Sequence, residues 1–307
     1  MRFGVILPNL GQLAIPDTLI TLARRADELG LDGVFLSDHL ALATDPQSRY
    51  PYRSDGTFPL RPDQAILEPV TTAAYLAAVT SRVHLGFSVL VVPYRHPVLN
   101  AKMLSTLDVF SGGRLIVGVG VGWMAEEFSA LGADYAHRGR VTDEHIRLLK
   151  CMWTRDEPVF SGQHYQVSGV TMYPKPVQSP HPPIWTGGIT GRALSRAARL
   201  SDGWHGMRMS PEDIAGVVRR LKTIREESGQ DFSGFEVSLR GGLDITRAAL
   251  PEFRLPMRGS PDQVAEDLER YREAGLTYMV VEPRARDANE LAGQLERLVQ
   301  EVQPLLQ

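Results

Sequence analysis

The sequence predicts a single (β/α)8 barrel, the TIM-barrel fold, on three observations. The chain has 307 residues, a length that barrels with insertions commonly reach. Short apolar runs typical of buried parallel strands alternate with amphipathic helical stretches. Eight such runs can be counted, which favours closure over an open doubly wound sheet. The runs are Phe3 to Leu7, Val34 to Leu36, Val83 to Val92, Leu115 to Val119, Pro183 to Thr186, Gly203 to His205, Phe235 to Leu239 and Tyr278 to Val281.

The first helix shows how one unit of this fold is built. Thr18 to Leu29 is amphipathic, follows Pro16 and Asp17, and ends at Gly30, which can adopt the left-handed conformation of a helix C-terminus. The arrangement of helix, glycine and buried strand recurs, because residues 25–35 resemble residues 270–280 and residues 196–204 form a looser copy. A repeated β/α unit is what a parallel barrel requires.

Two stretches interrupt the alternation. Leu40 to Leu67 is rich in Pro, Asp, Ser, Arg and Tyr and is too long for an ordinary connection, so it is a candidate lid over a substrate site. Arg155 to Pro182 is a second insertion, with prolines concentrated at its end. Neither resembles a separate domain, and we predict one domain over residues 1–307.

Composition indicates a small-molecule partner. The formal net charge is −3, with no cluster of Lys or Arg that would bind nucleic acid. No stretch is long and apolar enough to cross a membrane, and the N-terminus runs directly into a strand, so we expect a cytoplasmic protein. The lone Cys151 cannot form an intramolecular disulfide and is expected to be a small buried residue.

The residues that follow each apolar run are the candidates for chemistry, since barrel enzymes react at the C-terminal ends of their strands. Ser37-Asp38-His39 follows the second run. His39 could exchange protons near neutral pH, and Asp38 could orient it or raise its basicity. The alternative is that Asp38 caps a turn and His39 lies on the surface. Arg95 and His96 after the third run are expected to form a solvated polar turn.

Glycines mark the third and fourth runs. Gly86 would let backbone or ligand approach closely. The stretch Gly118-Val119-Gly120-Val121-Gly122-Trp123 lacks the spacing of the dinucleotide-binding fingerprint. Its alternating glycines instead remove side chains from one face, which leaves room for a flat molecule. The prediction is that Gly120, Gly122 and Trp123 border a flat ligand.

A glycine-rich turn after the fifth run predicts a phosphate site. Thr186-Gly187-Gly188-Ile189-Thr190-Gly191-Arg192 precedes a helix expected from about Ala193. Unpaired N–H groups and the dipole of a helix N-terminus favour phosphate, although an ordinary strand-to-helix turn would also use such glycines. His164 and His205 are expected to be structural or solvated. Because no His pair has metal-ligand spacing, the sequence predicts no metal site.

Taken together and in this order, the strand ends resemble the luciferase-like oxidoreductases, especially the branch that uses the deazaflavin coenzyme F420. The resemblance covers almost the whole chain. The segments that carry it are Phe3 to Pro8, Leu36 to Leu40, Ser88 to Leu90, Tyr94 to Pro97, Thr106 to Asp108, Ser111 to Leu115, Gly118 to Trp123 and Pro183 to Gly188.

The resemblance implies a homodimeric barrel with a tricyclic coenzyme across its strand ends. His39 would face the redox edge, and Ser88-Val89 would form a non-prolyl cis peptide behind the ring, a bond that persists only where its surroundings enforce it. Thr186, Gly187 and Gly188 would hold the phosphate. The sugar-phosphate dehydrogenases of this branch have Glu at the position of Trp123 and Trp at that of Ala43, which argues against that substrate class.

Three functions remain open at this stage. The preferred one is transfer of a hydride between F420 and a small organic substrate, with His39 assisting proton movement. The first alternative is an FMN-dependent monooxygenase that uses oxygen. The second is a flavin-binding protein without turnover, since a fold alone does not establish a function.

Overall fold

A computed structural model describes residues 1–306 and contains a closed parallel barrel. In these residues eight strands pair in the order β1 to β8, and β8 pairs with β1. The predicted barrel is therefore confirmed, including the strand predicted at Gly203. The strands are β1 Arg2–Ile6, β2 Gly33–Leu36, β3 His84–Phe87, β4 Leu115–Gly120, β5 Ile184–Gly187, β6 Gly203–Met207, β7 Glu236–Ile245 and β8 Tyr278–Pro283.

Helices surround the barrel and begin where the sequence provides caps. The predicted first helix is confirmed and begins at Pro16, and Gly30 ends it with a φ of +76°. Ser210 and Ser260 each close a capping box at the start of a helix. The helices are α1 Pro16–Leu29, α2 Pro69–Ala77, α3 Pro97–Ser111, α4 Ala125–Ala130, α5 Arg138–Thr154, α6 Gly191–Leu200, α7 Pro211–Glu227, α8 Pro261–Glu273 and α9 Ala288–Arg297. Within residues 1–306, no helix combines the length and apolarity of a membrane span.

The barrel interior is filled by large side chains from different strands. Phe35, Ile116, Trp185, Tyr278, Val280 and Ile6 form one buried cluster, and their strand neighbours face the helices in a separate, larger core. The Phe35 ring fills the space beside Gly86, where a Cβ would lie 2.3 Å from the ring. The close approach predicted at Gly86 is thus made by a side chain of the protein and not by backbone or ligand.

The third apolar run does not form the single strand that the sequence predicted. Strand β3 ends at Phe87, the Ser88-Val89 peptide is cis, and Leu90–Val91 then pairs with β4. The chain therefore moves from its position in β3 to run beside the end of β4. A 3-10 turn over Val92–Tyr94 then leads towards α3. The cis peptide that the family resemblance implied is present.

Both predicted insertions lack barrel strands. The segment 40–67 contains one isolated bridge, between Leu10 and Ile66, and otherwise irregular structure. Its start is held by α4, because the Glu126 carboxylate accepts hydrogen bonds from the backbones of Gln47 and Ser48. The second insertion forms a short antiparallel pair, Phe160–Ser161 with Gln166–Val167.

Candidate active site

His39 lies at the end of β2 and is held by a buried carboxylate. The residue is 7% exposed, and its Nδ1 lies 2.8 Å from Oε2 of Glu127 on α4. Burial would raise the pKa of Glu127, but hydrogen bonds from His39, Leu40 and Tyr94 outweigh that effect, and the pKa lies below its usual value. Glu127 is therefore ionised and fixes the tautomer with a proton on Nδ1. In this tautomer Nε2 is a proton acceptor, and within residues 1–306 it makes no hydrogen bond.

Asp38 does not orient His39, contrary to the sequence prediction. Its carboxylate accepts two hydrogen bonds from the Arg95 guanidinium, at 2.8 and 2.9 Å, and one from the Val91 backbone at 2.8 Å. The expectation of a solvated turn at Arg95 was also wrong, because its side chain is 8% exposed and also bonds Glu68. Asp38 and Arg95 are a buried ion pair that fixes the chain between β3 and α3. The role of orienting His39 belongs to Glu127.

The alternating glycines of β4 make room for the protein's own chain. A Cβ on Gly118 would lie 1.8 Å from the Phe87 carbonyl oxygen, and one on Gly120 would lie 2.3 Å from Val89 Cγ2. A Cβ on Gly122, which has a φ of +80°, would meet Phe128 and Val91. The face that the sequence predicted to be open to a flat ligand is therefore filled by the segment around the cis peptide. This segment forms one wall of the candidate site.

We predict that Gly118→Ala destabilises the protein by about 1–3 kcal/mol or more, because the added methyl group must displace backbone in a packed core. Gly242→Ala on β7 is the matched control, since a Cβ there meets nothing within 4 Å. Urea unfolding followed by circular dichroism gives both free energies. Equal midpoints for the two variants would contradict this account of the β4 glycines.

His205 lies behind the cis peptide at the centre of a hydrogen-bonded chain. Ser238 Oγ donates to the Trp204 carbonyl at 3.1 Å and so accepts from His205 Nδ1 at 2.8 Å. His205 Nε2 then accepts from Ser88 Oγ at 2.8 Å. His205 is 5% exposed. Of the two roles expected for it, structural or solvated, the structural one is therefore correct. The chain connects β6 and β7 to Ser88 and fixes the position of its hydroxyl group.

Burial lowers the pKa of both His205 and His145 to about 3. A histidine with a depressed pKa in the folded state stabilises the protein above its unfolded pKa of about 6.5, and this contribution is lost as the pH falls towards 3. We therefore expect His205→Gln to remove about 1.4 kcal/mol per pH unit from the acid-side slope of the unfolding free energy. Urea unfolding at several values between about pH 6 and about pH 4 measures that slope. An unchanged slope would show that His205 is protonated in the fold.

The glycine-rich turn lies at the N-terminus of α6, as predicted, but the threonines have different roles from those expected. Thr186 is fully buried, and its hydroxyl accepts a hydrogen bond from Ser201 at 3.2 Å, so its side chain cannot reach a phosphate. Thr190 is exposed and caps α6, which begins at Gly191. Gly188 has a φ of +103°, and Val89 Cγ1 lies 3.7 Å from the Cβ position of Gly187. This turn therefore adjoins the wall formed by Val89.

Trp123 joins His39 to the segment 40–67. Tyr50 and Phe58 of this segment contact the Trp123 ring, with centroid distances of 5.2 and 5.3 Å. Phe58 also lies over His39 at 4.8 Å, and Trp123 meets the His39 ring edge-on at 6.0 Å. The segment 40–67 thus packs over the strand ends and shields His39 from water.

A cluster of charged residues completes the site, with Arg208 just after β6, Arg240 within β7 and Glu282 near the end of β8. Arg240 donates to Glu282 at 2.7 and 3.2 Å and to Ser37 Oγ at 3.0 Å, and Arg208 donates to Glu282 at 3.1 Å. Burial would raise the pKa of Glu282, but the two guanidinium groups lower it to about 2. The two arginines and Glu282 therefore carry one net positive charge together, beside Ser37.

Sequence reasoning missed four of these residues for two different reasons. Arg240 and Glu282 follow directly after predicted strands, so the strand-end criterion could have found both. Glu127 and Tyr94 lie on a helix and a turn, and their only signal is contact with His39 through the fold. Within the described part of the chain, no three His, Cys, Asp or Glu side chains come together as metal ligands.

The strand ends of this parallel barrel bring together a histidine-carboxylate pair, a cis peptide and a helix N-terminus. The chain belongs to the luciferase-like monooxygenase family, whose model matches residues 1–249. This match confirms the family resemblance. An enzyme that uses F420 is among the solved structures with the same fold.

Three proteins show the range of this similarity. An uncharacterized protein of Mycobacterium tuberculosis is 34% identical over 71% of this chain and 74% of its own length. The FMNH2-dependent dimethylsulfone monooxygenase of Pseudomonas putida is 37% identical over 61% of this chain and 53% of its own. An F420-dependent secondary alcohol dehydrogenase, solved with an F420-acetone adduct, superposes with a TM-score of 0.80 over 100% of this chain and 99% of its own, at 17% identity.

Proposed function

We propose that the protein binds coenzyme F420 across the strand ends and transfers a hydride between the coenzyme and a small organic substrate. His39 carries this proposal, because an ionised Glu127 holds its Nδ1 proton and leaves Nε2 as an unpaired proton acceptor. Transfer of a hydride from a C–H bond adjoining a hydroxyl group requires that the hydroxyl lose a proton. Nε2 of His39 takes this proton, and it returns the proton when the reaction runs in reverse.

The remaining residues fit a tricyclic coenzyme with an attached phosphate. Ser88 and Val89 form the wall behind the ring, and the Ser88 hydroxyl is fixed by His205. Backbone N–H groups of Gly187, Gly188 and the first turn of α6 suit the phosphate, with Thr190 capping the helix. Gly120 acts indirectly by giving Val89 its space, Gly122 leaves room for Val91 and Phe128, and Trp123 borders the reacting edge. When bound, F420 supplies the two-electron hydride chemistry.

The segment 40–67 acts as the lid over the substrate in this proposal. Phe58 and Tyr50 exclude water from His39, which strengthens the electrostatic effect of Glu127 in a medium of low dielectric constant. An F420-dependent dehydrogenase has the same fold over its full length, so the fold is compatible with this coenzyme.

The test compares oxygen dependence. In a screen of alcohols and carbonyl compounds, we expect oxidation or reduction of F420 at equal rates with and without oxygen. Consumption of one oxygen molecule per product with reduced FMN would overturn the proposal. It would establish the second candidate, an FMN-dependent monooxygenase, which the 37% identity to the Pseudomonas putida enzyme favours.

A further inference from the structure

The residues around His39 divide into an aromatic side and a cationic side. On the aromatic side, Trp123, Phe58 and Tyr50 form a continuous cluster with ring-centroid distances of 5.0–5.3 Å. On the other side, Arg240 spans the mouth of the barrel from β7 to Ser37 after β2. The aromatic cluster thus contacts His39 itself, and the Arg240 guanidinium reaches Ser37, two residues earlier in the chain.

Arg208 is the cation available to a ligand. Arg240 is occupied by Glu282 and Ser37, and its side chain is 13% exposed. Arg208 makes a single side-chain hydrogen bond within residues 1–306, to Glu282, and its side chain is 44% exposed. It reaches Glu282 on β8 across the intervening strand β7, so the guanidinium lies over the barrel mouth. An arginine with free donors matches a carboxylate in geometry and charge.

The backbone at Arg208 supports a functional role. Its φ is +51°, in the left-handed region that non-glycine residues seldom adopt and that often marks a functional position. The two sides also meet at Tyr50. Burial raises the pKa of its phenol, and the charges of Arg240 and Arg208 act against that rise, so both guanidinium groups lie within electrostatic reach of the aromatic cluster.

We infer that the substrate is an aromatic carboxylate whose ring packs against Trp123, Phe58 and Tyr50 and whose carboxylate binds Arg208. The inference rests on the proposed function and names its substrate class. Stacking on the rings positions the substrate beside His39 Nε2, and the carboxylate satisfies the positive charge that Glu282 leaves uncompensated.

The test titrates 2-naphthoate and its neutral analogue 2-naphthamide into the protein saturated with F420, and again without coenzyme, following tryptophan fluorescence. We expect the carboxylate to bind at least tenfold more tightly than the amide. Arg208→Gln should remove this difference, whereas Phe58→Leu should weaken both ligands alike. Arg53→Gln is the control for loss of a positive charge, because Arg53 lies in the segment 40–67 and pairs with Asp55 at the surface.

Three results would overturn the inference. Equal binding of carboxylate and amide would remove the charged subsite. Equal losses in Arg208→Gln and Arg53→Gln would indicate a general charge effect. A tenfold loss of F420 affinity in Arg208→Gln would assign this arginine to the acidic groups of the coenzyme. Failure of the wild-type protein to bind F420 would instead contradict the proposed function, while the titration without coenzyme would still measure selectivity for the carboxylate.

Discussion

His39→Ala is expected to lower kcat by about 100-fold or more, the loss typical of removing a general acid or base. The affinity for F420 should change little, because the proposed coenzyme contacts lie on the Ser88-Val89 wall and the α6 turn. Steady-state kinetics and a fluorescence titration measure the two effects separately.

Glu127→Gln separates the charge of the carboxylate from its geometry. The amide keeps an oxygen near Nδ1 but loses the negative charge that fixes the His39 tautomer, so an intermediate loss of kcat is expected. If His39→Ala turns over as fast as the wild-type protein, the assigned proton transfer is wrong.

Arg95→Met is expected to be the most destabilising substitution of a charged residue in the site, by about 3–5 kcal/mol. It leaves Asp38, whose side chain is fully buried, without its partner. An unpaired buried charge costs far more free energy than the ion pair contributes, so a large drop in the urea midpoint should follow.

Arg61→Met provides the control for Arg95→Met. Arg61 pairs with Asp63 in the segment 40–67, where both side chains are more than half exposed, so the midpoint should not move. If both variants shift the midpoint equally, Asp38 is not buried as an ion in the folded protein.

The barrel itself could be predicted because its signals are local. Each strand is a short apolar run, and Gly30 ends α1 at the predicted residue. The glycine-rich turn before α6 could also be located, since glycines before an amphipathic helix are contiguous in sequence. Thr186 was misassigned because alternation along β5 turns its side chain towards Ser201 and away from the strand ends.

The candidate active site could be predicted only in part, because its partners are distant in sequence. His39 and Glu127 are 88 residues apart, and proximity in sequence made Asp38 seem the natural partner. Alternation explains the error, since Asp38 turns to Arg95 while His39 turns to α4. The β4 glycines were misinterpreted for a similar reason, because the segment that fills their space belongs to another strand.

The most direct test of the central claim is titration of the purified protein with F420 and, separately, with FMN in one buffer. The account predicts micromolar or tighter binding of F420 and markedly weaker binding of FMN. Preference for FMN would contradict the hydride-transfer proposal and favour the oxygen-dependent monooxygenase, and binding of neither would contradict the assignment of a flavin-type coenzyme to this site.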